Sequence, residues 1–184
     1  ESCDEENNDD FQQNRGGGKK KKSPLKKSRK KGIDWDETDE EDNDGPCMES
    51  GRIKGIYLEN FMSHQKFSLK FGKNVNFVTG PNGSGKSAVV AALQLCLGSR
   101  MTTTGRGNAM ASMIRQGSPG PAIVKVTLVN EGPDAYKCET YGKRITIVRT
   151  INKSGGATYK ILDVYGKKVT DQKRELDAIL KQYS

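Results

Sequence analysis

Eight consecutive residues, Gly80-Pro81-Asn82-Gly83-Ser84-Gly85-Lys86-Ser87, carry the spacing G-x-x-x-x-G-K-[ST]. Each residue type has a task in holding phosphate. Gly80, Gly83 and Gly85 let the backbone turn tightly enough for several N–H groups to face phosphate oxygens. Lys86 is long enough to reach the β- and γ-phosphates, and the Ser87 hydroxyl can sit on a Mg²⁺ ion. A helix starting at Ser87 adds the positive end of its dipole to the same anion. A plain Gly-rich turn between two core elements has no use for Lys86-Ser87.

Such a loop needs a strand before it and a helix after it. Residues 74–79 read as a short buried strand running into Gly80. Residues 88–97 are apolar nearly all round and read as a helix that stops at Gly98. Upstream, residues 53–61 read as a strand, and 67–71 alternate apolar and polar as a half-buried strand does. The turn Gly72-Lys73-Asn74 leads on to the loop strand.

Downstream, residues 98–107 are rich in Gly, Ser and Thr, and 109–115 read as a short helix ending at Gly117. Pro119-Gly120-Pro121 is a break. The pattern then turns to β, with strands at 122–130, 136–141, 144–151 and 158–164, a further β position at Val169, and turns at Gly142-Lys143, Lys153-Ser154-Gly155-Gly156 and Gly166. Thr170 is placed to cap a last helix in which Leu176, Ile179, Leu180 and Tyr183 share one face. No internal repeat is visible, and the chain stops at Ser184 within that helix.

Charge divides the chain of 184 residues in two. Residues 1–50 hold 10 Lys and Arg against 15 Asp and Glu, a net of −5, while residues 51–184 hold 21 against 8, a net of +13. The first part is too poor in apolar residues to fold alone and reads as a disordered charged tail. Its runs Lys19-Lys20-Lys21-Lys22 and Lys26-Lys27-Ser28-Arg29-Lys30-Lys31 have the form of a bipartite nuclear localisation signal. Eight acidic residues follow within 34–44, around Trp35 and Thr38. The second part is large enough for one domain, and its basicity favours a polyanionic partner such as nucleic acid. Starting at Glu1 rather than Met, the chain reads as a fragment or a processed product. Cys3, Cys47, Cys96 and Cys138 lack metal-ligand spacing and read as reduced thiols of an intracellular protein. The longest apolar run, in the helix after the loop, is too short to span a bilayer, and no signal peptide is visible.

The order of elements resembles one family. The blocks Asn60-Phe61-Met62-Ser63-His64, residues 75–88 and Leu97-Gly98-Ser99-Arg100, followed by an antiparallel meander, are similar to the N-terminal ATPase head of the structural maintenance of chromosomes (SMC) family. Arg106-Gly107, Ile114-Arg115-Gln116-Gly117 and residues 141–147 look most like its sixth subfamily, the larger SMC subunit of the Smc-five/six complex. The resemblance covers residues 51–184 and leaves out the tail. It implies an α/β fold, an ABC-type P-loop ATPase half-head with a mixed sheet and an antiparallel β-meander, cut before the glutamine loop and the coiled coil. It implies ATP and Mg²⁺ as ligands. Its partners would be the C-terminal half of the same head, a second SMC subunit of the Smc-five type, a kleisin with other non-SMC subunits, and the backbone of double-stranded DNA, with no membrane. The location would be the nucleus, on chromosomes, and the work chromosome maintenance and repair by recombination.

Carried over by position, Lys86 is the catalytic residue, Asn82, Gly83, Ser84, Gly85, Lys86, Ser87 and Ala88 hold the nucleotide, and Ser87 holds the metal. Ser63 and His64 fall where the first strand-to-strand turn nears the nucleotide, although a solvated turn is an equal reading for His64. Arg106 falls in the arginine loop, with Arg100 a rival. Arg106, Arg115, Lys143 and Arg144, with Lys153 and Lys160, are candidate DNA contacts. Rival readings are a DNA repair ATPase of the Rad-fifty or RecN kind, a self-contained P-loop kinase, and a DNA-binding module with a relic loop. A strand-rich stretch after Gly120 speaks against the kinase, and the complete Gly85-Lys86-Ser87 ending against the relic.

Overall fold

The computed structural model describes residues 50–98 and 108–184. The charged tail with its localisation signal, and Arg100 and Arg106, lie outside the described residues.

Six strands form one antiparallel sheet in the order β2-β1-β3-β4-β5-β6. They are β1 (Ile53–Phe61), β2 (His64–Lys70), β3 (Ala122–Val129), β4 (Arg144–Ile151), β5 (Ala157–Leu162) and β6 (Lys168–Thr170). Alternation decides the two faces. Ile56, Leu58, Val124, Val126, Leu128, Ile145, Ile147, Ile151 and Ile161 turn inward and are buried. Register aligns Leu69, Ile56, Val126, Ile147 and Ile161 in one inward row across five strands. The outward face carries Lys125, whose ammonium lies 5.2 Å from the centre of the Tyr57 ring. On the same face the Thr127 and Thr146 hydroxyls meet at 3.2 Å.

Helix α1 (Lys86–Cys96) lies on the inward face. Its buried residues Ala88, Val89, Ala92, Leu95 and Cys96 recur at helical spacing and pack into the sheet's core cluster. The Cys96 thiol points at the Val124 carbonyl oxygen, 3.7 Å away. Gly98 follows the helix at φ 75°, the left-handed conformation that ends helices. The other face of α1 is apolar too, and there Val90 is 57% exposed. Helix α4 (Lys173–Gln182) buries Leu176 and Ile179, with Leu180 and Tyr183 packed beside them, which is the face the periodicity gives.

Several local expectations are corrected. Residues 136–141 are not a strand. They enter α3 (Cys138–Tyr141) through Lys137 at φ 40°. The cause is Asn130, whose side chain donates to the carbonyls of Tyr136 and Gly142 and accepts from the Tyr136 N–H, closing the segment into a loop. Helix α2 is only Asn108–Ala111, because residues 113–115 leave it to bond the end of β1. There the Met62 N–H donates to the Met113 carbonyl at 2.7 Å and the Arg115 N–H to the Asn60 carbonyl at 2.9 Å. Thr170 does not cap α4: the N-cap is Gln172, whose N–H the Thr170 hydroxyl accepts at 3.2 Å. Residues 74–79 form no strand, and Val75 and Phe77 are 74% and 86% exposed. A strand requires a ladder neighbour, and the sheet of the described residues ends at β2 on that side. Every strand pairing among the described residues is therefore antiparallel, and a mixed sheet would need a parallel neighbour for residues 74–79.

Among the described residues no helix is long and apolar enough to cross a membrane.

Candidate functional site

The loop 80–87 connects residues 74–79 to α1, and its conformation follows from its glycines. Gly85 stands at φ 90° as the N-cap of α1, a conformation costly for a residue with a side chain. Space demands glycine there as well. A Cβ on Gly85 would sit 2.5 Å from His64 Cε1, closer still to His64 Nε2, and 3.0 Å from Ser63 Oγ. The structure thus brings Ser63 and His64 against the phosphate loop, with His64 Nε2 3.4 Å from the Gly85 carbonyl oxygen.

Those two residues are held by a strained turn between β1 and β2. Asn60 and Met62 have φ of 52° and 48°, and both make backbone bonds to residues 113–115. The His64 ring rests on Phe67, 4.6 Å between centroids. This turn is tied from two sides, to the segment after α2 and to the loop.

The N-terminus of α1 is open to an anion. It has no side-chain cap and no acidic residue in its first turn, so its leading N–H groups keep their partial positive charge. Lys86 folds across the loop and donates to the carbonyls of Gly80 and Pro81 at 2.6 and 2.8 Å. Its ammonium therefore lies over the loop's own backbone. Ser84 lies under Gly80, where a Cβ would meet its Oγ at 2.8 Å. Asn82, Gly83, Ser84 and Ser87 are exposed at the loop surface, Gly85 and Lys86 are half-buried, and Ala88 is buried beneath them. A tight loop with an uncapped helix end, one ammonium and one hydroxyl suits a Mg²⁺-bound polyphosphate: Lys86 and the helix N–H groups would hold phosphate oxygens, and Ser87 the metal.

Beside the loop is a cavity of about 400 Å³, between β2 and residues 76–79. Phe67, Leu69 and Phe71, in and just after β2, line it with Phe77, Val78 and Thr79, and Lys86 and Val89 of α1 line it too. Its apolar walls continue the core of the sheet.

The candidate DNA contacts do not form one group. Arg144 and Lys160 have the outward parity of β4 and β5, Lys143 is exposed in the turn before β4, and Lys153 in the turn after it. Arg115 lies elsewhere, its backbone bonded to Asn60 at the β1–β2 turn. The register adds residues that composition and motif did not single out. Lys66 and Lys70 on β2 and Lys125 on β3 share the outward face with Arg144 and Lys160. The alternation of the strands carried that signal, since each lysine has the parity opposite to the buried aliphatics.

A second polar cluster ties α4 to the sheet. Glu175 Oε1 accepts from Lys137 Nζ at 2.8 Å, Tyr141 Oη at 3.1 Å and Tyr136 Oη at 3.2 Å. The Lys137 ammonium is the main cause that holds the Glu175 carboxyl below its ordinary range. Burial, then Glu175, pushes the Tyr141 hydroxyl up.

The AAA domain family matches residues 56–184. Among curated proteins, structural maintenance of chromosomes protein 6 of Dictyostelium discoideum is 43% identical over 136 residues, covering 74% of this chain and 11% of that protein. The human protein of the same name is 38% identical over 170 residues, covering 88% of this chain and 16% of that protein. The chain thus spans between a tenth and a sixth of these relatives' length. Among solved structures, one from work on ATP-driven dimerization and DNA-stimulated activation of SMC ATPases has TM-score 0.58 at 24% identity, covering 71% of this chain and 78% of that one. An Smc head bound to the C-winged helix domain of ScpA has TM-score 0.55 at 23% identity, covering 71% of this chain and 40% of that one. These two share the fold. The chain belongs to the AAA domain family, and it is similar in sequence and fold to the N-terminal heads of structural maintenance of chromosomes proteins.

Proposed function

We propose that this chain is the ATP-binding half of an SMC-type head, working by ATP-gated engagement of two heads in chromosome maintenance and in DNA repair by recombination. The observation that carries this reading is the loop 80–87: an uncapped helix start, Gly85 closed against Ser63 and His64, and Lys86 folded over the loop. Lys86, Ser87 and residues 82–85 bind ATP and Mg²⁺. A second head closes on them, and hydrolysis releases it, with positioning and charge stabilisation as the main catalytic means.

The remaining half of the head comes from the same protein and packs where α1 and residues 74–79 expose apolar surface. Val75, Phe77, Val78 and Val90 supply that surface, and the cavity between β2 and residues 76–79 lies beside it. A strand laid beside residues 74–79 would give them the ladder partner the described residues lack and make the sheet mixed. Smc-five-type and kleisin subunits complete the assembly, and the basic blocks of the tail address it to the nucleus.

DNA would bind through its backbone on the outward face of the sheet. That face carries Lys66, Lys70, Lys125, Arg144 and Lys160, with Glu59 as the one carboxylate of its strands. Contacts of this kind give affinity without sequence preference. Arg115 would act from the side of the β1–β2 turn, and Arg106 from the arginine loop that the resemblance implies.

The test is Lys86→Ala in the full-length protein with its partner subunits. ATP-dependent head engagement should disappear. Unchanged engagement and hydrolysis in the variant would sink the reading. Hydrolysis by the chain alone would instead favour the self-contained enzyme.

A further inference from the structure

Arg149 breaks the alternation of its strand. β4 turns Ile145, Ile147 and Ile151 inward, and Arg149 has the same parity. Register places it in one row with Leu58, Val124 and Tyr159. It is only 8% exposed. Its guanidinium lies on the Tyr159 ring, 3.5 Å from the centroid. Its Nε and Nη1 are buried and make no hydrogen bond.

No opposite charge faces it among the described residues. β5 presents the Tyr159 ring and β3 presents Val124. α1 presents the Cys96 thiol, which burial pushes up to about 12, so that it stays neutral at physiological pH. Three of the carboxylates have partners of their own: Glu175 takes Lys137 and two tyrosines, Asp171 takes Lys168, and Glu59 takes the Tyr57 hydroxyl. Residues 99–107, which follow α1, contain no Asp or Glu, and the 15 acidic residues of 1–49 lie outside the described residues. An arginine cannot shed its proton to escape burial. A buried cation without an anion bears a large desolvation penalty, which stacking on a tyrosine offsets only in part.

We propose that Arg149 receives the carboxylate of an Asp or Glu from the portion of the protein beyond residue 184, and that this ion pair seats that portion at the end of α1 remote from the phosphate loop. The inference rests on the reading that the rest of the protein completes the head. A charge-assisted pair with the guanidinium's N–H groups is the chemistry that satisfies a buried arginine best. The exposed apolar flank of α1 and of residues 74–79 gives the incoming portion a surface to cover. The relatives supply the length, since this chain corresponds to 11–16% of theirs.

The experiment is Arg149→Met in the full-length protein, with the melting of the head followed near neutral pH and at about pH 5, where an unpaired buried carboxyl takes a proton. If a carboxylate is present, removing its partner strands a buried charge, and the melting temperature near neutral pH falls by roughly 5–10 °C. The sign with pH is fixed: the stranded carboxyl has a raised pKa in the fold, so its penalty fades as pH falls and the deficit shrinks. A deficit equal at both pH values, a melting temperature that rises, or a pH-dependent deficit that is lost when residues 1–49 are deleted overturns the proposal, because it shows lost packing, relief of an unpaired charge, or a carboxylate supplied by the tail. If Arg149→Met yields no folded protein, Arg149→Gln is read by the same pH comparison. Hydrogen exchange of residues 74–79 in the unsubstituted protein separates the two levels. Slow exchange with a pH-independent deficit removes the Arg149 pair alone, whereas fast exchange removes the completed head with it.

Discussion

Gly85 answers two demands at once, a backbone at φ 90° and a space already taken by His64 and Ser63. Gly85→Ala should therefore weaken ATP binding at least tenfold, about 1.4 kcal/mol. Adding His64→Ala to that variant should restore only part of the affinity, because the clash is relieved and the left-handed conformation is not. Titration with a fluorescent ATP analogue reads both variants; complete recovery would mean that only the clash mattered. Lys86→Ala should lower hydrolysis by roughly 10²–10³-fold in the assembled protein, the range for losing one fixed donor to a developing charge. A steady-state phosphate-release assay checks it. The spacing of the loop is enough by itself to single these residues out. Ser63 and His64 are legible only through the family resemblance, since His64 lies 21 residues from Gly85 and no local pattern links them. Arg149 escapes a reading by motif, although its signal stands in the alternation Ile145, Ile147, Arg149, Ile151. A charged residue in an apolar parity reads as an irregularity until the register shows what lies beside it.

At the scale of elements, α1 and α4 are readable from their periodicity because one face of each is buried. Leu176→Ala should cost the fold about 2–5 kcal/mol, since its side chain is fully buried against the sheet. Denaturant unfolding followed by circular dichroism measures it. The Glu175 cluster adds a pH dependence. Its folded carboxyl is depressed, first by the Lys137 hydrogen bond, so its stabilisation is present above the ordinary carboxylate pKa and is lost as pH falls through the depressed value. Glu175→Gln should thus lower the melting temperature at neutral pH, and the gap to the unsubstituted protein should close in acid. A gap that stays constant with pH would assign the loss to geometry instead. The stretch 136–141 misleads because Tyr136, Cys138 and Tyr141 look like strand residues. What decides them is Asn130, a side chain six or more residues away that captures backbone groups a strand would need. The segment 74–79 misleads for the opposite reason. Its composition is that of a buried strand, but a strand exists only with a neighbour, and sequence cannot show which part of a longer protein supplies one.

At the scale of the molecule, the net of +13 in residues 51–184 acquires a place once the strands are registered. If the outward face holds DNA, Lys125→Glu with Lys160→Glu should weaken binding to duplexes of unrelated sequence alike. The slope of log affinity against log salt should become shallower by roughly 0.9 for each phosphate that is no longer neutralised. Fluorescence anisotropy over a salt series reads this. An unchanged slope would move DNA off this face. The bare apolar flank carries its own prediction. In the full-length protein the amides of residues 74–79 should exchange slowly, as paired strand amides do, and exchange at the rate of an open loop would mean that no strand joins them.

Cys96 turns the helix behind the phosphate loop into its own clock. The thiol is wholly enclosed and its ionisation is pushed up to about 12, so an alkylating reagent finds neither access nor a thiolate. Cys138 is exposed and should react at once. Alkylation of Cys96 then proceeds only when α1 lifts from the sheet, and the adduct counts those openings by mass alone. Run with and without ATP, such labelling would time how firmly the nucleotide fastens the helix down.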